Sequence, residues 1–287
     1  MSIIGICFRK NKIFQGLKFF VAKVGLYTFT RDTYHYFFAK DALRRRRLAL
    51  KFYSQFINPG DIVFDIGANV GVRTDIFLKL GAHVIAVEPN PKCVRDIERI
   101  YGCKSLFIEQ CAIGNAEGTV ELMIGDQSPL STTSPEWLKV AKKSPRFACH
   151  QWRETIKVPV RTLNSLVQAW GLPNFVKIDV EGSEAEVLQS LSQPIPCLSF
   201  EFNIEFISQA CKCIENISLM ENACFNVVLE ESFEFCFTEW ISNSRIIKWL
   251  VSDQNRSLLT YGDIYVRLPV VTADTKAEVK AEILEML

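Results

Sequence analysis

Histidine is scarce in this chain, with three residues in 287, and the one close cysteine pair, Cys211-Lys212-Cys213, has no second pair at zinc-finger spacing. A structural zinc site is therefore not expected. Charge of one sign is also lacking: 33 Lys and Arg against 32 Asp and Glu leave a net charge of +1, so nothing in the bulk charge points to nucleic acid or another polyanion. No apolar run is clean enough to cross a bilayer, which takes about 20 apolar residues. The nearest approach, residues 13–24, is interrupted by Lys18 and Lys23. As a basic amphipathic helix this stretch could make peripheral membrane contact, but packing on the domain is the expectation. No secretory segment is read, and Cys111, Cys197 and Cys224 sit in apolar runs, so reduced thiols in a cytoplasmic protein are expected.

What is present is enough apolar material, 48% of residues, to bury the core of a large α/β domain. Within it the run Val63-Phe64-Asp65-Ile66-Gly67-Ala68-Asn69-Val70-Gly71 carries an apolar strand into a turn with two glycines. Glycine there lets the backbone turn sharply and approach a ligand, and the following helix aims its free N–H groups at the same place. The dinucleotide fingerprint G-x-G-x-x-G is missing, because Asn69 stands where its middle glycine would be. A cofactor without a pyrophosphate fits better. The next apolar strand delivers Glu88, followed by Pro89-Asn90-Pro91. A carboxylate about twenty residues past a glycine turn can hold both ribose hydroxyls.

Residues up to about 56 read as a helical extension that includes the Arg44-Arg45-Arg46-Arg47 run, expected to be a solvated helix face. From 57 to 270 strands and helices alternate as a parallel series requires: strands at 62–66, 84–88, 105–109 and 175–179, helices at 72–80, 92–100, 162–170 and 183–191. Further strands are expected at 197–202, 225–229 and 263–268, and an inserted β segment at 119–124 with a return at 157–160. The stretch between, rich in Ser, Thr, Pro and Lys, reads as a long mobile loop of functional importance. Residues 271–287 read as a helical tail. The fold class is α/β, with a doubly wound, mostly parallel sheet.

Three blocks together, Asp65-Ile66-Gly67-Ala68-Asn69-Val70-Gly71, Val87-Glu88-Pro89-Asn90 and Lys177-Ile178-Asp179-Val180-Glu181-Gly182-Ser183-Glu184, resemble the FkbM family of S-adenosylmethionine-dependent methyltransferases. The resemblance implies a Rossmann-like class I methyltransferase domain and, usually, O-methylation of a hydroxyl on a sugar, glycan or small natural product. It implies that Gly67, Ala68, Asn69 and Gly71 pass the methionine part of S-adenosylmethionine, that Asp65 meets its ammonium directly or through water, and that Glu88, with Pro89 and Asn90, takes the ribose. The segment Gln110-Cys111-Ala112 would frame the adenine.

A neutral hydroxyl is a poor nucleophile, so its methylation calls for a proton acceptor or a metal. Asp179 and Glu181 are the expected catalytic residues, with Glu184 and Glu201 behind them. Two of these carboxylates could hold a magnesium ion, which the reaction does not require. His150 could serve as base if the long loop folds over the cofactor, and Ser131, Thr132 and Trp137 are acceptor-side candidates on the same loop. Competing readings are a non-catalytic nucleoside-binding or recruitment module on this fold and a nicotinamide-dependent oxidoreductase. The missing glycine counts against the second, and the complete carboxylate set against the first. Acids where a base-methylating enzyme carries an aromatic count against a nucleic-acid acceptor. The sequence carries no sign of an oligomeric state.

Overall fold

In a computed structural model of the chain, the described residues are 42–220, 222–252 and 260–268. The expected stretch at 13–24 and the helical tail lie outside them. Helix α1, residues 42–53, leads into β1 (Ile62–Ile66), α2 (Val72–Lys79), β2 (His83–Val87), α3 (Pro91–Tyr101) and β3 (Leu106–Glu109). Then come β4 (Ala112–Ile113), β5 (Gly118–Gly125), α4 (Pro135–Ala141) and β6 (Trp152–Arg161). The chain continues through α5 (Leu163–Trp170), β7 (Phe175–Ile178), α6 (Glu184–Gln189), β8 (Cys197–Asn203), α7 (Ile207–Ser218), β9 (Cys224–Leu229), α8 (Asn243–Val251) and β10 (Tyr261–Arg267).

Seven strands form one sheet in the order β3-β2-β1-β7-β8-β10-β9. The first five are mutually parallel, and β10 runs antiparallel to both β8 and β9. This is the doubly wound, mostly parallel α/β architecture that the alternation of elements predicts. Alternate strand residues face opposite layers. Phe64, Ile66, Val176, Ile178, Leu198 and Phe200 pack under α5, α6, α7 and α8. Val63, Val84, Phe175 and Tyr265 pack under α1 and α2.

Helix α1 is built into the domain rather than appended to it. Phe52, Tyr53 and Phe56 join Phe77, Phe175, Phe233 and Tyr265 in one buried aromatic cluster, where the Phe56 ring stacks on Tyr265 at 5.5 Å. The Tyr265 hydroxyl donates to that of Tyr53 at 3.1 Å. Its arginines are partly engaged: Arg45 pairs with Glu231 at 2.9 Å and Arg46 with Asp75. Among the described residues no helix is long and apolar enough to cross a membrane.

The stretch after Gly125 corrects the expectation of a mobile loop. It folds into a 3-10 turn at Ser128–Leu130 and helix α4, which Ser134 caps by accepting the Trp137 N–H. Leu130, Trp137, Ala141 and Phe147 form a small core of their own, with Trp152 and Phe206 against it. Ser, Pro and Lys made the composition look loop-like, yet Ser134-Pro135 is also a helix start signal. Strands β4, β6 and β5 make a separate three-stranded sheet beside it. Helices α7 and α8 were not anticipated from sequence. The Cys211-Cys213 pair lies on α7, with Cys213 buried in the main core.

Candidate active site

The carboxyl ends of the parallel strands open into a cavity of about 260 Å³. Crevices of this kind, beside a point where strand order reverses, are where open α/β sheets bind ligands. Here the reversal falls between β1 and β7, adjacent in the sheet but far apart in sequence.

On one side stands the glycine turn. Gly67 and Ala68 both donate their N–H to the Val87 carbonyl, at 2.8 and 3.1 Å, so the turn is stitched to the end of β2. Gly67 has a left-handed φ of +82°, and a Cβ placed there would lie 1.8 Å from the Asp179 carbonyl oxygen. The glycine is thus demanded by the neighbouring strand, in addition to any ligand. Asn69, also left-handed with φ 50°, donates its N–H to Glu88 Oε2 at 2.8 Å. Asn90 donates its N–H to the other oxygen, Oε1, at 2.8 Å, while its side chain caps α3. Each Glu88 oxygen therefore has one backbone donor and room for another. Burial pushes the Glu88 carboxyl up to about 7, against those two backbone bonds, which pull it down.

The expected cofactor residues divide by position. Gly67, Asn69, Glu88, Pro89 and Ala112 line the cavity. Asp65, Ala68, Gly71, Asn90 and Gln110 are not on its wall. Asp65 is buried and accepts the Thr74 hydroxyl at 2.6 Å, with burial, opposed by that bond, raising it to about 6. Ala68 packs with Ala86 and Ile97, and Gly71 lies against Tyr101 and Ile97. Gln110 is exposed, because a tight turn in which the Cys111 N–H donates to the Glu109 carbonyl at 3.0 Å sends Cys111 inward instead.

On the other side Asp179, Glu181 and Glu201 bring one carboxylate oxygen each within 4.8 Å of one another. Asp179 and Glu201 stand at the ends of β7 and in β8, and Glu181 is held between them in a left-handed turn with φ 53°. That turn is clamped from two directions. Glu184 accepts the N–H groups of Val180 and Gly182, each at 3.1 Å. The Thr132 hydroxyl donates to the Glu181 carbonyl at 2.6 Å, and the Trp137 ring fills the space a Cβ on Gly182 would need. Burial, then the charges of Asp179 and Glu184, push the Glu181 carboxyl well above the usual range. Burial, then the charges of Asp179 and Glu181, do the same to Glu201. Behind Asp179, the buried Lys177 ammonium donates to Asp263 at 2.8 Å and reaches Asp179 at 3.4 Å. Burial alone would depress its pKa, and the charges of Asp179 and Asp263 overcome that and raise it.

The remaining wall had no sequence signal. Arg146 donates to Glu205 at 2.8 Å and Asn203 at 3.3 Å, with its guanidinium over the Phe147 and Tyr261 rings. Glu231, Tyr261 and Asn203 complete it, brought in by β8, β10 and the segment after β9. His150 and Ser131 also face the cavity.

Several buried carboxyls titrate high here, which fixes the sign of a pH effect. Asp65 at about 6 and Glu88 and Glu184 at about 7 keep protons that the unfolded chain has already lost. Stability falls with pH wherever the folded state binds more protons. Each of these groups contributes a loss on the order of 3 kcal/mol between about pH 4 and pH 7. Urea unfolding at pH 5 to 8 is expected to show a falling midpoint, flattened in Glu88→Gln. A midpoint that climbs across this window would contradict burial as the dominant influence.

A family model described as the methyltransferase FkbM domain matches residues 65–262, more than half of the chain. No curated protein matches significantly. Among solved structures, the chain is similar to an O-methyltransferase from Bacillus cereus in complex with SAH, with 11% identity, 79% of this chain and 81% of that one covered, and TM-score 0.41. It is also similar to precorrin-6y C5,15-methyltransferase from Geobacter metallireducens GS-15, with 11% identity, coverage of 78% and 87%, and TM-score 0.39. The fold class rests on the sheet itself.

Proposed function

The chain belongs to the FkbM methyltransferase family and is thus an S-adenosylmethionine-dependent methyltransferase; from that premise we propose that it methylates a hydroxyl on a sugar, glycan or small natural-product acceptor. The observation that carries this reading is a cavity with two chemically distinct walls. One presents the doubly anchored Glu88 carboxylate, and the other the Asp179, Glu181 and Glu201 cluster.

The first wall fits the nucleoside. Each Glu88 oxygen retains a lone pair for a ribose hydroxyl, Gly67 and Asn69 offer a path for the methionine part, and Cys111, Ala112 and Ile113 offer apolar contact to the adenine. Asp65 and Asn90 act as positioning residues for that wall, one through Thr74 and the other through its bond to Glu88. When bound, S-adenosylmethionine supplies an electrophilic methyl group. Asp179 and Glu181, with Glu201, hold the acceptor hydroxyl in line with it, and positioning of this kind supplies much of a methyl transfer's rate. Their all-oxygen donor set is of the type magnesium accepts, but the Lys177 ammonium already stands beside Asp179 and the transfer requires no metal.

Calorimetric titration with S-adenosylmethionine, S-adenosylhomocysteine and NAD tests the reading. Both sulfur nucleosides are expected to bind and NAD not to. Glu88→Ala is expected to weaken both by about ten- to a hundredfold, the loss of hydrogen bonds to a charged group. Tight binding of NAD with no response to either sulfur nucleoside would refute the assignment.

A further inference from the structure

We propose that His150, held by Asp126, is the general base that takes the proton of the acceptor hydroxyl. The inference rests on the methyltransferase reading and adds the proton's destination to it.

The geometry begins with the β5–β6 hairpin. In its antiparallel register Gly125 pairs with Trp152, so Asp126, just after β5, and His150, just before β6, meet at the open end. The Asp126 N–H donates to the Gln151 carbonyl at 2.9 Å, and the His150 N–H to the Phe147 carbonyl at 2.9 Å, which fixes both backbones. The Trp152 indole donates to the Leu130 carbonyl at 2.7 Å and ties the hairpin end to the small aromatic core. On this frame His150 Nδ1 lies 2.9 Å from Asp126 Oδ1. An ionised carboxylate only accepts, so Nδ1 carries the hydrogen and Nε2 keeps its lone pair. The His150 side chain is only 12% exposed and lines the cavity, whereas that of Asp126 is 45% exposed.

The other candidates for the proton are occupied. Glu184 is spent on the N–H groups of the turn. Glu181 and Glu201 each bring a carboxylate oxygen within 4.8 Å of the other and of Asp179, a cluster placed to hold the acceptor oxygen. Asp179 is engaged by Lys177. The charged groups that share the cavity with His150 are Glu88, Arg146, Asp179, Glu181, Glu201 and Glu231. Arg146 is paired to Glu205, and Glu231 to Arg45 and Arg73. The carboxylate cluster orients the hydroxyl, and the imidazole receives its proton.

The step balances within these parts. As the hydroxyl oxygen bonds to the transferred methyl carbon, the bond from that carbon to sulfur breaks and its electron pair remains on sulfur. The hydroxyl proton passes to Nε2 while the Nδ1–H stays donated to Asp126, and the imidazolium returns its extra proton to water once product leaves.

The test uses the full chain with ¹⁵N-labelled histidine, saturated with S-adenosylhomocysteine, and long-range ¹H–¹⁵N correlation, His150 being assigned from His150→Gln. The expected neutral form is the Nδ1–H tautomer, lost in Asp126→Ala. Kinetics follow tritiated methyl transfer to catechol and to methyl α-D-glucopyranoside across pH 5 to 9. His150→Gln is expected to lower kcat by about 10²–10⁴-fold with KM little changed, and to remove the limb of the wild-type profile that rises with pH. A hydrogen on Nε2 in the wild-type complex overturns the proposal with or without turnover of either probe, as does a rising limb that survives the substitution. Failure of the labelled protein to bind S-adenosylhomocysteine would instead overturn the cofactor reading beneath it.

Discussion

Replacement of Gly67 by alanine is expected to cost more than about 4 kcal/mol, the range reserved for disrupted cores and backbone clashes. Two penalties combine. A non-glycine residue at φ +82° pays for the left-handed backbone, about 1–2 kcal/mol. The larger penalty is steric: the added methyl carbon would sit 1.8 Å from the Asp179 carbonyl oxygen, a backbone atom that no rotamer change can move. The end of β1 must then separate from β7, breaking the bond from the Asp179 N–H to the Ile66 carbonyl at 2.9 Å. The control is Gly60→Ala, at a similar φ of +87° with nothing within 4 Å of the added carbon among the described residues. Thermal unfolding of the two variants separates backbone strain from collision. Equal losses would mean that the approach of the two strands is not tight. Because the same contact holds the cofactor turn against Asp179, any folded remainder of the variant is expected to bind S-adenosylhomocysteine poorly.

Lys177→Met is the second large effect. It removes the ammonium from a place between Asp263 and Asp179 and leaves the mostly buried Asp263 without its partner. Breaking a buried ion pair from one side costs about 3–5 kcal/mol, since the surviving charge stays desolvated. The double variant Lys177→Met/Asp263→Leu is expected to regain most of that loss, because removing both charges also removes both desolvation costs. A coupling energy near zero in denaturant unfolding would show that the pair does not act as a unit. The two variants should still differ from wild type in one respect: with Lys177 gone, Asp179 loses the cation that stands 3.4 Å from it.

The strands that carry the site were readable because they are buried on both faces. Mostly apolar runs such as Ile62–Ile66 and Phe175–Ile178, each broken by a single charge, Asp65 and Lys177, leave little alternative. The carboxylates at their ends were readable for the same reason, since a charge that closes such a run must meet a cavity or a partner. Gln110 shows where this logic stops: a single tight turn after β3 sends it to solvent and leaves Cys111 and Ala112 of the expected segment on the cavity, and local sequence does not encode that choice. Arg146, Asn203, Glu231 and Tyr261 were illegible because only tertiary packing gathers them. Helix α4 had an available signal in Ser134-Pro135 that a reading by composition passed over. His150 depended on the long segment closing over the site, and its aromatic core is what closes it.

The two walls of the cavity also divide along the chain. On the proposed reading the residues that would face the nucleoside all occur by Ile113, and the segments that build the opposite wall begin at Leu122, with the Gly114–Gly118 turn between them. A genetic crossover in that turn would therefore exchange the opposite wall as a single block, provided the incoming half keeps the close approach of the Asp179 carbonyl to Gly67.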